Sequence, residues 1–271
     1  MDRRSVGVFD SGLGGLTAVR ELRSILPSEN IIYFGDTSRV PYGGRSSEIL
    51  HHYARQDVHF LRSFDIKAIL VACGTVSTTA LPALQRENDL PILGVVEPAC
   101  RRAAAKTRNK RVGLIATAAS VHSGAYERTL HDIDPEIQVV SRACPLFVPL
   151  VENGRFRRGD IVIETVAREY LEPMKDQGLD TLILGCTHYP LLTEIVAEIM
   201  GPDVTLVSAG EESAFELKRL LKANDLRADE TRQGEAEFFV SDRAEDFERI
   251  ASVFLQEDLR RAARRIDIDQ Y

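Results

Sequence analysis

The stretch from Val6 to Gly15 reads VGVFDSGLGG, a short apolar run that leads directly into a glycine-rich turn. Beyond the turn, apolar side chains return at helical spacing, at Leu16, Val19 and Leu22. A buried strand followed by a tight turn and an amphipathic helix is the repeating unit of parallel α/β sheets. The stretch therefore predicts an α/β fold.

The same alternation continues along the chain. Further compact apolar runs, each predicted to be a strand, lie at residues 31–34, 68–72, 92–96, 111–116, 138–141, 181–185, 205–208 and 237–241. Helical patterns lie between them, at residues 47–64, 159–174, 191–200, 209–224 and 242–263. Strands that are apolar throughout and separated by helices predict a doubly wound parallel sheet, covered by helices on both faces.

Two short segments recur later in the chain. Residues 6–11 resemble residues 112–117, and residues 70–75 resemble residues 183–187, in the same order and at similar offsets. Each pair is an apolar strand followed by small polar residues, so the chain is predicted to contain two related α/β halves. Open α/β sheets bind ligands at the carboxyl ends of their strands. We therefore expect Cys73 and Cys186 on opposite walls of one cleft.

The composition of the chain argues against some classes of binding partner. The chain has 271 residues, with 34 Lys and Arg against 41 Asp and Glu, and its formal net charge is −7. A pI near 5.5 and the lack of Trp argue against nucleic acid as the main partner. No apolar run reaches the length of about 18 residues that a membrane span needs, and the N-terminal residues do not resemble a signal peptide. These features predict a cytoplasmic globular protein that requires neither nucleic acid nor membrane.

The four cysteines lie far apart in the sequence, at Cys73, Cys100, Cys144 and Cys186. None has another cysteine within four residues, so neither a zinc spacing nor a CxxC redox spacing is present, and no metal is expected. A cytosolic chain of this kind keeps its thiols reduced. Cys100 and Cys144 are interpreted as structural, because a free cysteine most often serves as a small buried hydrophobe.

Two loops follow predicted strands near the N-terminus. The turn at residues 10–15 matches neither a dinucleotide fingerprint nor a P-loop. Its Asp10 and Ser11 either cap the next helix or help to bind a small carboxylate. The loop at residues 36–45 contains Pro41-Tyr42-Gly43-Gly44, which predicts non-helical backbone. That loop is either an ordinary connection or a cover that closes over a ligand.

Cys73 and Cys186 each stand where a predicted strand runs into a helix. Backbone amides and the helix dipole at such a turn are expected to lower the pKa of the thiol from its free value of about 8.5. His188 lies two residues after Cys186 and is a candidate partner of that thiol. Two facing thiols without a metal or redox spacing suit the removal of a proton from one face of a carbon and its delivery to the other. The residues therefore predict racemisation by two bases.

Five segments of the chain resemble the glutamate racemase family, which belongs to the cofactor-independent racemases that also include aspartate and hydantoin racemases. They are residues 6–15 (VGVFDSGLGG), 33–43 (YFGDTSRVPYG), 72–77, 149–152 (PLVE) and 184–192 (LGCTHYPLL), in the order and spacing of the family. The resemblance implies two flavodoxin-like doubly wound parallel-sheet domains, related by a pseudo-two-fold axis, with the active site between them. Residues 1–97 and 208–271 would form the first domain, and residues 98–207 the second.

The resemblance also implies a function and a set of site residues. It implies cofactor-independent interconversion of L-glutamate and D-glutamate, supplying D-glutamate for peptidoglycan, by a homodimer. Cys73 is expected to act on D-glutamate and Cys186 on L-glutamate. The implied substrate-binding residues are Asp10, Ser11, Tyr42, Gly43, Gly74, Thr75, Thr187 and His188. The implied supporting residues are Asp36 and Glu152, which with His188 assist orientation or protonation, and Thr117 and Ser120, which bind a carboxylate.

One position departs from the family pattern. Where the family usually has Cys-Asn-Thr, this chain has Cys73-Gly74-Thr75. Gly74 offers only its backbone amide to a substrate, although a water molecule can fill the space of the missing side chain. If the backbone angle of Gly74 is ordinary, the substitution Gly74→Asn is expected to be sterically possible. If Gly74 has a positive φ, or if another residue already occupies the vacated space, the substitution is expected to inactivate the protein instead.

The residues leave three alternatives to a glutamate racemase. A racemase of the same superfamily could act on another acidic amino acid or on a hydantoin. A non-catalytic relative could bind a ligand in the same cleft, but the retention of both Cys73 and Cys186 argues against it. A thiol redox protein is disfavoured by the missing CxxC spacing. The sequences around residues 10–15 and 185–190 favour glutamate as the substrate.

Overall fold

The computed structural model describes residues 2–255 and 263–271. Within these residues the chain forms ten strands, which pair in parallel in two separate sheets. In chain order they are β1 (Ser5–Asp10), β2 (Ile31–Gly35), β3 (Ile66–Val71), β4 (Ile92–Gly94), β5 (Arg111–Ala116), β6 (Gln138–Ala143), β7 (Thr181–Leu184), β8 (Thr205–Ser208), β9 (Ala236–Val240) and β10 (Ala263–Arg265). The first sheet has the order β10-β9-β2-β1-β3-β4, and the second has the order β6-β5-β7-β8.

Helices connect these strands. Those of the described residues are α1 (Leu16–Ile25), α2 (Ser47–Leu61), α3 (Gly74–Thr79), α4 (Leu81–Glu87), α5 (Val96–Lys106), α6 (Ala118–Ser123), α7 (Ala125–Ile133), α8 (Phe147–Glu152), α9 (Ile161–Lys175), α10 (Thr193–Met200), α11 (Ala209–Ala223) and α12 (Ala244–Leu255). Every residue of β3 and β7 is buried. Because alternate residues of a strand point to opposite faces, such strands must be covered on both faces.

The two sheets share one strand order. The run β2-β1-β3-β4 of the first sheet matches β6-β5-β7-β8 of the second, and both follow the flavodoxin-like order. This confirms the predicted fold class of two doubly wound α/β domains. The central strands β1, β3, β5 and β7 therefore occupy equivalent places. Their carboxyl ends lead to Asp10, Cys73, Thr117 and Cys186, so the fold brings the predicted site residues to equivalent sheet edges.

Three predicted elements differ in the structure. The helix predicted over 242–263 is α12, which ends at Leu255; residues 256–262 lie outside the described residues, and Ala263 begins β10. The strand predicted to reach Val96 ends at Gly94, and Val96 begins α5. The Tyr42–Gly44 segment is a short 3-10 helix, so the expected non-helical backbone at that loop is wrong. Short 3-10 helices also occur at Tyr189–Leu192 and Ile268–Gln270.

The start of α1 also contradicts one of the two interpretations of residues 10–15, namely that Asp10 or Ser11 caps the helix. The residue that precedes the helix is Gly15, which makes no side-chain capping hydrogen bond, so neither Asp10 nor Ser11 is the N-cap. Among the described residues, every helix is too short or too polar to cross a lipid bilayer.

Candidate active site

A cavity of about 380 Å³ lies between loops that follow strands of both domains. Its walls combine both thiols with most of the sequence-predicted site residues. Those that line it are Ser11, Tyr42, Gly43, Cys73, Gly74, Thr75, Thr117, Glu152, Cys186, Thr187 and His188. Asp10, Asp36 and Ser120 are buried outside its lining.

Cys73 lies between the end of β3 and the start of α3. It is buried, and it precedes the first residue of α3 in the N-cap position. Burial and the nearby charge of Asp10 raise the pKa of the Cys73 thiol to about 12, although hydrogen bonds from the Val76 amide and the Ser11 side chain oppose them. The predicted lowering of the pKa by the helix turn is therefore wrong for Cys73. A single short helix cannot offset the removal of water from the thiol.

Asp10 is buried next to the same cavity. Its carboxylate accepts hydrogen bonds from the Gly12 amide at 3.0 Å and from the Thr187 hydroxyl at 3.3 Å, which joins the first domain to the second. Burial raises the pKa of Asp10, while the charge of His188 and these hydrogen bonds work in the opposite direction. Asp10 thus holds the turn at Gly12 against Thr187 and places its charge near Cys73, although it does not line the cavity.

Cys186 begins a chain of three side chains. Its Sγ lies 3.7 Å from Nδ1 of His188, and Nε2 of His188 lies 3.0 Å from Oε1 of Glu152. Burial alone would lower the pKa of His188, but the contacts with Cys186 and Glu152 outweigh it and raise the pKa to about 10. His188 therefore carries a positive charge at neutral pH, beside one thiol only.

Hydroxyl groups bridge the two domains on another side of the cavity. The Oγ1 atoms of Thr75 and Thr117 lie 3.0 Å apart, and the Thr117 hydroxyl donates to Ser120 Oγ at 3.1 Å. Thr117 is also the N-cap of α6, where its Oγ1 accepts from the Ser120 amide. Thr117 is therefore placed at the cavity, whereas Ser120 lies behind it and contacts it.

The loop that carries Tyr42 and Gly43 is anchored by a buried cluster. The Tyr42 hydroxyl contacts Oδ2 of Asp36 and lies 3.2 Å from Oδ2 of Asp57. Arg39 forms an ion pair with Asp36 and donates a hydrogen bond to Oδ1 of Asp57 at 3.2 Å. Ser241 donates to Asp36 at 2.8 Å. The structure thus places Asp36 beneath the loop, in contact with Tyr42, and its role in assisting orientation or protonation stays a prediction.

Gly74 meets the other domain directly. Its φ lies outside the left-handed region, yet a Cβ at this position would lie 2.5 Å from the carbonyl oxygen of Gly185. The structure therefore favours the alternative expectation, in which the space at position 74 is already occupied. The obstacle is a backbone atom of the second domain, which sequence reasoning about the local backbone angle could not reveal.

Sequence reasoning missed several features of the site. Cys144, read as structural, lines the cavity beside Val148 and Pro149, and burial raises the pKa of its thiol to about 12. Asp57 was not singled out, because nothing in the pattern of α2 distinguishes it from a solvent-facing residue. No Lys or Arg is found among the described residues that line the cavity. The described residues also contain no cluster of three His, Cys, Asp or Glu side chains suited to a metal ion.

Comparison with known proteins identifies the family. A profile of the Asp/Glu/hydantoin racemase family matches residues 19–214. The chain is 46% identical to a glutamate racemase of Geobacter metallireducens over 255 residues, or 94% of each chain. Its fold is similar to the crystal structure of a glutamate racemase isoform from Bacillus anthracis, with a TM-score of 0.93 and 37% identity over 98% of both chains. A glutamate racemase from Francisella tularensis, solved in complex with D-glutamate, matches with a TM-score of 0.91 and 38% identity over 100% of both chains. The chain therefore belongs to the Asp/Glu/hydantoin racemase family, a family of isomerases.

Proposed function

We propose that the chain is a glutamate racemase that interconverts L-glutamate and D-glutamate by proton transfer through Cys73 and Cys186. The observation that carries this proposal is that both thiols line one cavity, after equivalent strands of two similarly built domains. A pseudo-symmetric pair of thiols suits a carbon that must be reached from both faces. Glutamate as the substrate is supported by the relatives above, each of which is a glutamate racemase.

The two thiols have different charged neighbours. Protonated His188 lies 3.7 Å from Cys186 and stabilises negative charge on its Sγ, whereas the high pKa of Cys73 keeps its proton in place. With L-glutamate, the Cys186 thiolate takes the α-proton, and the Cys73 thiol then gives its proton to the opposite face. With D-glutamate, a Cys73 thiolate takes the α-proton and the Cys186 thiol returns one. Each turnover exchanges the roles of the two sulfurs.

The intermediate carries negative charge on the α-carbon and its carboxylate. Hydroxyl groups of Ser11, Thr75, Thr117 and Thr187 line the cavity and can donate to a substrate carboxylate, together with the backbone amides of Gly43 and Gly74. Donors that are already fixed in place stabilise charge as it develops, without the cost of reorganising water. We propose that these groups make the α-proton acidic enough for a thiolate, and that no cofactor takes part.

Several broader assignments belong to the same proposal. The free thiols that the mechanism needs are maintained in a reducing compartment, so we place the enzyme in the cytoplasm. There it would supply D-glutamate for peptidoglycan. Strands at residues 5–94 and 236–265 form one sheet and strands at residues 111–208 form the other, which supports domains of 1–97 with 208–271 and of 98–207. The homodimer stays a prediction, which sedimentation equilibrium would test.

The proposed function is tested by circular dichroism of L-glutamate and D-glutamate incubated separately with the purified chain, without added cofactor. Both signals are expected to decay to zero as each enantiomer becomes a racemic mixture. The same assay with L-aspartate and D-aspartate identifies a different acidic substrate. A chain with both Cys73→Ala and Cys186→Ala, purified in parallel, excludes a contaminating racemase. Flat traces for both glutamate enantiomers would contradict the proposal.

A further inference from the structure

Two glycines meet across the cleft between the domains. A Cβ on Gly74 would lie 2.5 Å from the carbonyl oxygen of Gly185, whereas ordinary Cβ contacts begin at 3.4 Å. The oxygen belongs to the backbone and follows the buried strand β7, so it cannot rotate away as the end of a flexible side chain can. The two domains therefore approach each other here at a distance that only glycine permits at position 74.

This contact is next to both thiols in the chain. Gly74 directly follows Cys73, and Gly185 directly precedes Cys186. Neighbouring Cα atoms are held about 3.8 Å apart by the trans peptide bond. The Cys73 and Cys186 backbones therefore cannot move apart without also separating Gly74 from Gly185, and any side chain at position 74 forces that separation.

We propose that Gly74 is a positioning residue, which sets the separation of the Cys73 and Cys186 thiols by letting the two domains meet backbone to backbone. Its catalytic consequence rests on the proposed function, because a carbon between two thiols must be within reach of both. This positioning role comes from its missing side chain and is separate from the hydrogen bond that its backbone amide can donate to a substrate carboxylate. A displacement of about 1 Å from productive geometry can slow an enzyme about 100-fold.

Neighbouring contacts limit how the domains can adjust. The Thr75 and Thr117 hydroxyls lie 3.0 Å apart across the same contact between the domains. A Cβ on Gly43 would lie 3.0 Å from Cβ of Thr117. The overlap at Gly43 is milder than that at Gly74. The two positions therefore provide a graded pair of substitutions that separate the domains by different amounts.

The central test compares Gly74→Ala with the parent chain in steady-state kinetics in both directions. We expect kcat to fall about 100-fold while KM changes by no more than about threefold, because the thiols are displaced but the binding hydroxyls stay. Gly74→Asn is expected to lower kcat further. The control is Gly210→Ala in α11, where a Cβ would lie 3.5 Å from Ala18, an ordinary contact outside the cavity, and kcat should be unchanged.

Crystal structures of the parent and Gly74→Ala provide a readout that does not depend on activity. We expect the distance between the Cys73 and Cys186 Sγ atoms to increase by about 1 Å. An unchanged distance would overturn the inference, as would a rise in KM with kcat retained, which would make Gly74 only a substrate contact. A parent chain without racemase activity would defeat the proposed function, while the two structures would still decide the role of Gly74.

If Gly74→Ala fails to fold, Gly43→Ala replaces it in both measurements. Its smaller overlap is expected to widen the distance between the two sulfurs by less than the Gly74 substitution would, and to lower kcat correspondingly less. If Gly43→Ala kept both the sulfur separation and the kcat of the parent chain, the result would contradict the proposal that the contact between the domains controls the distance between the thiols.

Discussion

At the scale of single residues, the two thiols differ although they occupy equivalent strand ends. Cys73 lies near the buried carboxyl group of Asp10, while Cys186 lies beside the imidazole of His188. A negative neighbour favours a protonated thiol, and a positive neighbour favours a thiolate. The fold is thus nearly symmetric, but the side chains around its two sulfurs have opposite charge. This difference in charge is the asymmetry that the proposed mechanism uses.

Removal of either thiol is expected to abolish racemisation in both directions, because the proposed mechanism assigns one sulfur to each face of the α-carbon. Cys73→Ala and Cys186→Ala should lose activity in the circular dichroism assay while they keep the far-ultraviolet spectrum of the parent. The matched control is Cys100→Ala, a buried position in α5 away from the cavity, which should keep its turnover. It is expected to lose about 1–3 kcal/mol of stability. Turnover near the parent value in Cys186→Ala would contradict the two-base mechanism.

The charge of Glu152 is expected to control the alkaline limit of activity with L-glutamate. Glu152→Gln removes the negative charge beside His188 Nε2, so the pKa of His188 should fall below its value of about 10. His188 then loses its proton at a lower pH, and the alkaline limb of kcat/KM should shift toward neutral pH. Glu172→Gln, an exposed position in α9, is the control and should leave the profile in place.

The same substitution predicts a change in stability with a definite sign. The pKa of His188 in the folded chain lies above its ordinary value of 6.5. Its stabilising effect is therefore complete below about pH 6.5 and is lost as pH rises through about 10. The melting temperature of the parent should exceed that of Glu152→Gln near pH 6, and the difference should shrink toward pH 10. A difference that grows with pH would contradict this assignment of charge.

Sequence reasoning identified the residue types of the site but not all of their surroundings. Cys73, Cys186 and His188 stand out because each lies at the end of a predicted strand. The direction of the Cys73 pKa and the contact between Gly74 and Gly185 depend on how the two domains meet, which no local pattern encodes. Asp36 was predicted to assist the site because it begins a loop that follows a strand. In the structure that loop folds so that Tyr42 covers Asp36.

At the scale of elements, continuous apolar runs were sufficient to predict the central strands. The predicted strand over residues 111–116 coincides with β5, whose residues after Arg111 are all buried. The edge strand β10 was missed because its sequence, ARR, has no apolar run, and a strand that pairs on one side needs none. The short helices α3 and α6 are too brief to show a helical period.

One element carries an unusual carboxyl group. The Tyr42 hydroxyl has a single hydrogen, which it donates to Asp36, yet it also lies 3.2 Å from Oδ2 of Asp57 in α2. The contact with Asp57 is a hydrogen bond only if Asp57 supplies the proton. Burial and the charge of Asp36 raise the pKa of Asp57 well above its usual range, in agreement with a protonated group. We expect Asp57 to hold the Tyr42 loop as a neutral acid.

A neutral amide should therefore replace Asp57 with little loss. Asp57→Asn is expected to keep KM for glutamate within about twofold of the parent, whereas Asp57→Ala should raise KM, because the loop over the cavity loses its anchor. Asp57→Ala should also lose about 1–3 kcal/mol of stability, since it leaves buried polar groups without a partner. The control is Arg55→Ala, on the same helix, which breaks an exposed ion pair with Glu87 of α4. Equal effects of the Asn and Ala substitutions would show that the carboxyl group acts as an anion.

At the scale of the whole molecule, two similar sheets are joined by contacts of two kinds. The largest apolar cluster contains buried residues of both sheets, including Val8 of β1 and Leu184 of β7. Polar bridges cross the cleft as well, since Thr17 donates to the Thr187 carbonyl at 2.8 Å and Thr75 contacts Thr117 at 3.0 Å. Apolar packing is not directional, so the polar bridges are the contacts that can fix the register of one domain against the other.

The Thr75–Thr117 contact is expected to couple the stabilities of the two domains. In a double-mutant cycle of Thr75→Val and Thr117→Val, measured by urea unfolding, the loss in the double variant should be smaller than the sum of the single losses. We expect a coupling energy of about 0.5–1.5 kcal/mol, the net value of one hydrogen bond. Thr165→Val on α9, whose hydroxyl bonds only within its own helix, should combine additively with Thr75→Val. Additivity of Thr75→Val and Thr117→Val within about 0.3 kcal/mol would show that this bridge contributes nothing to the register of the domains, leaving the Thr17–Thr187 bridge and the backbone contact at Gly74 to set it.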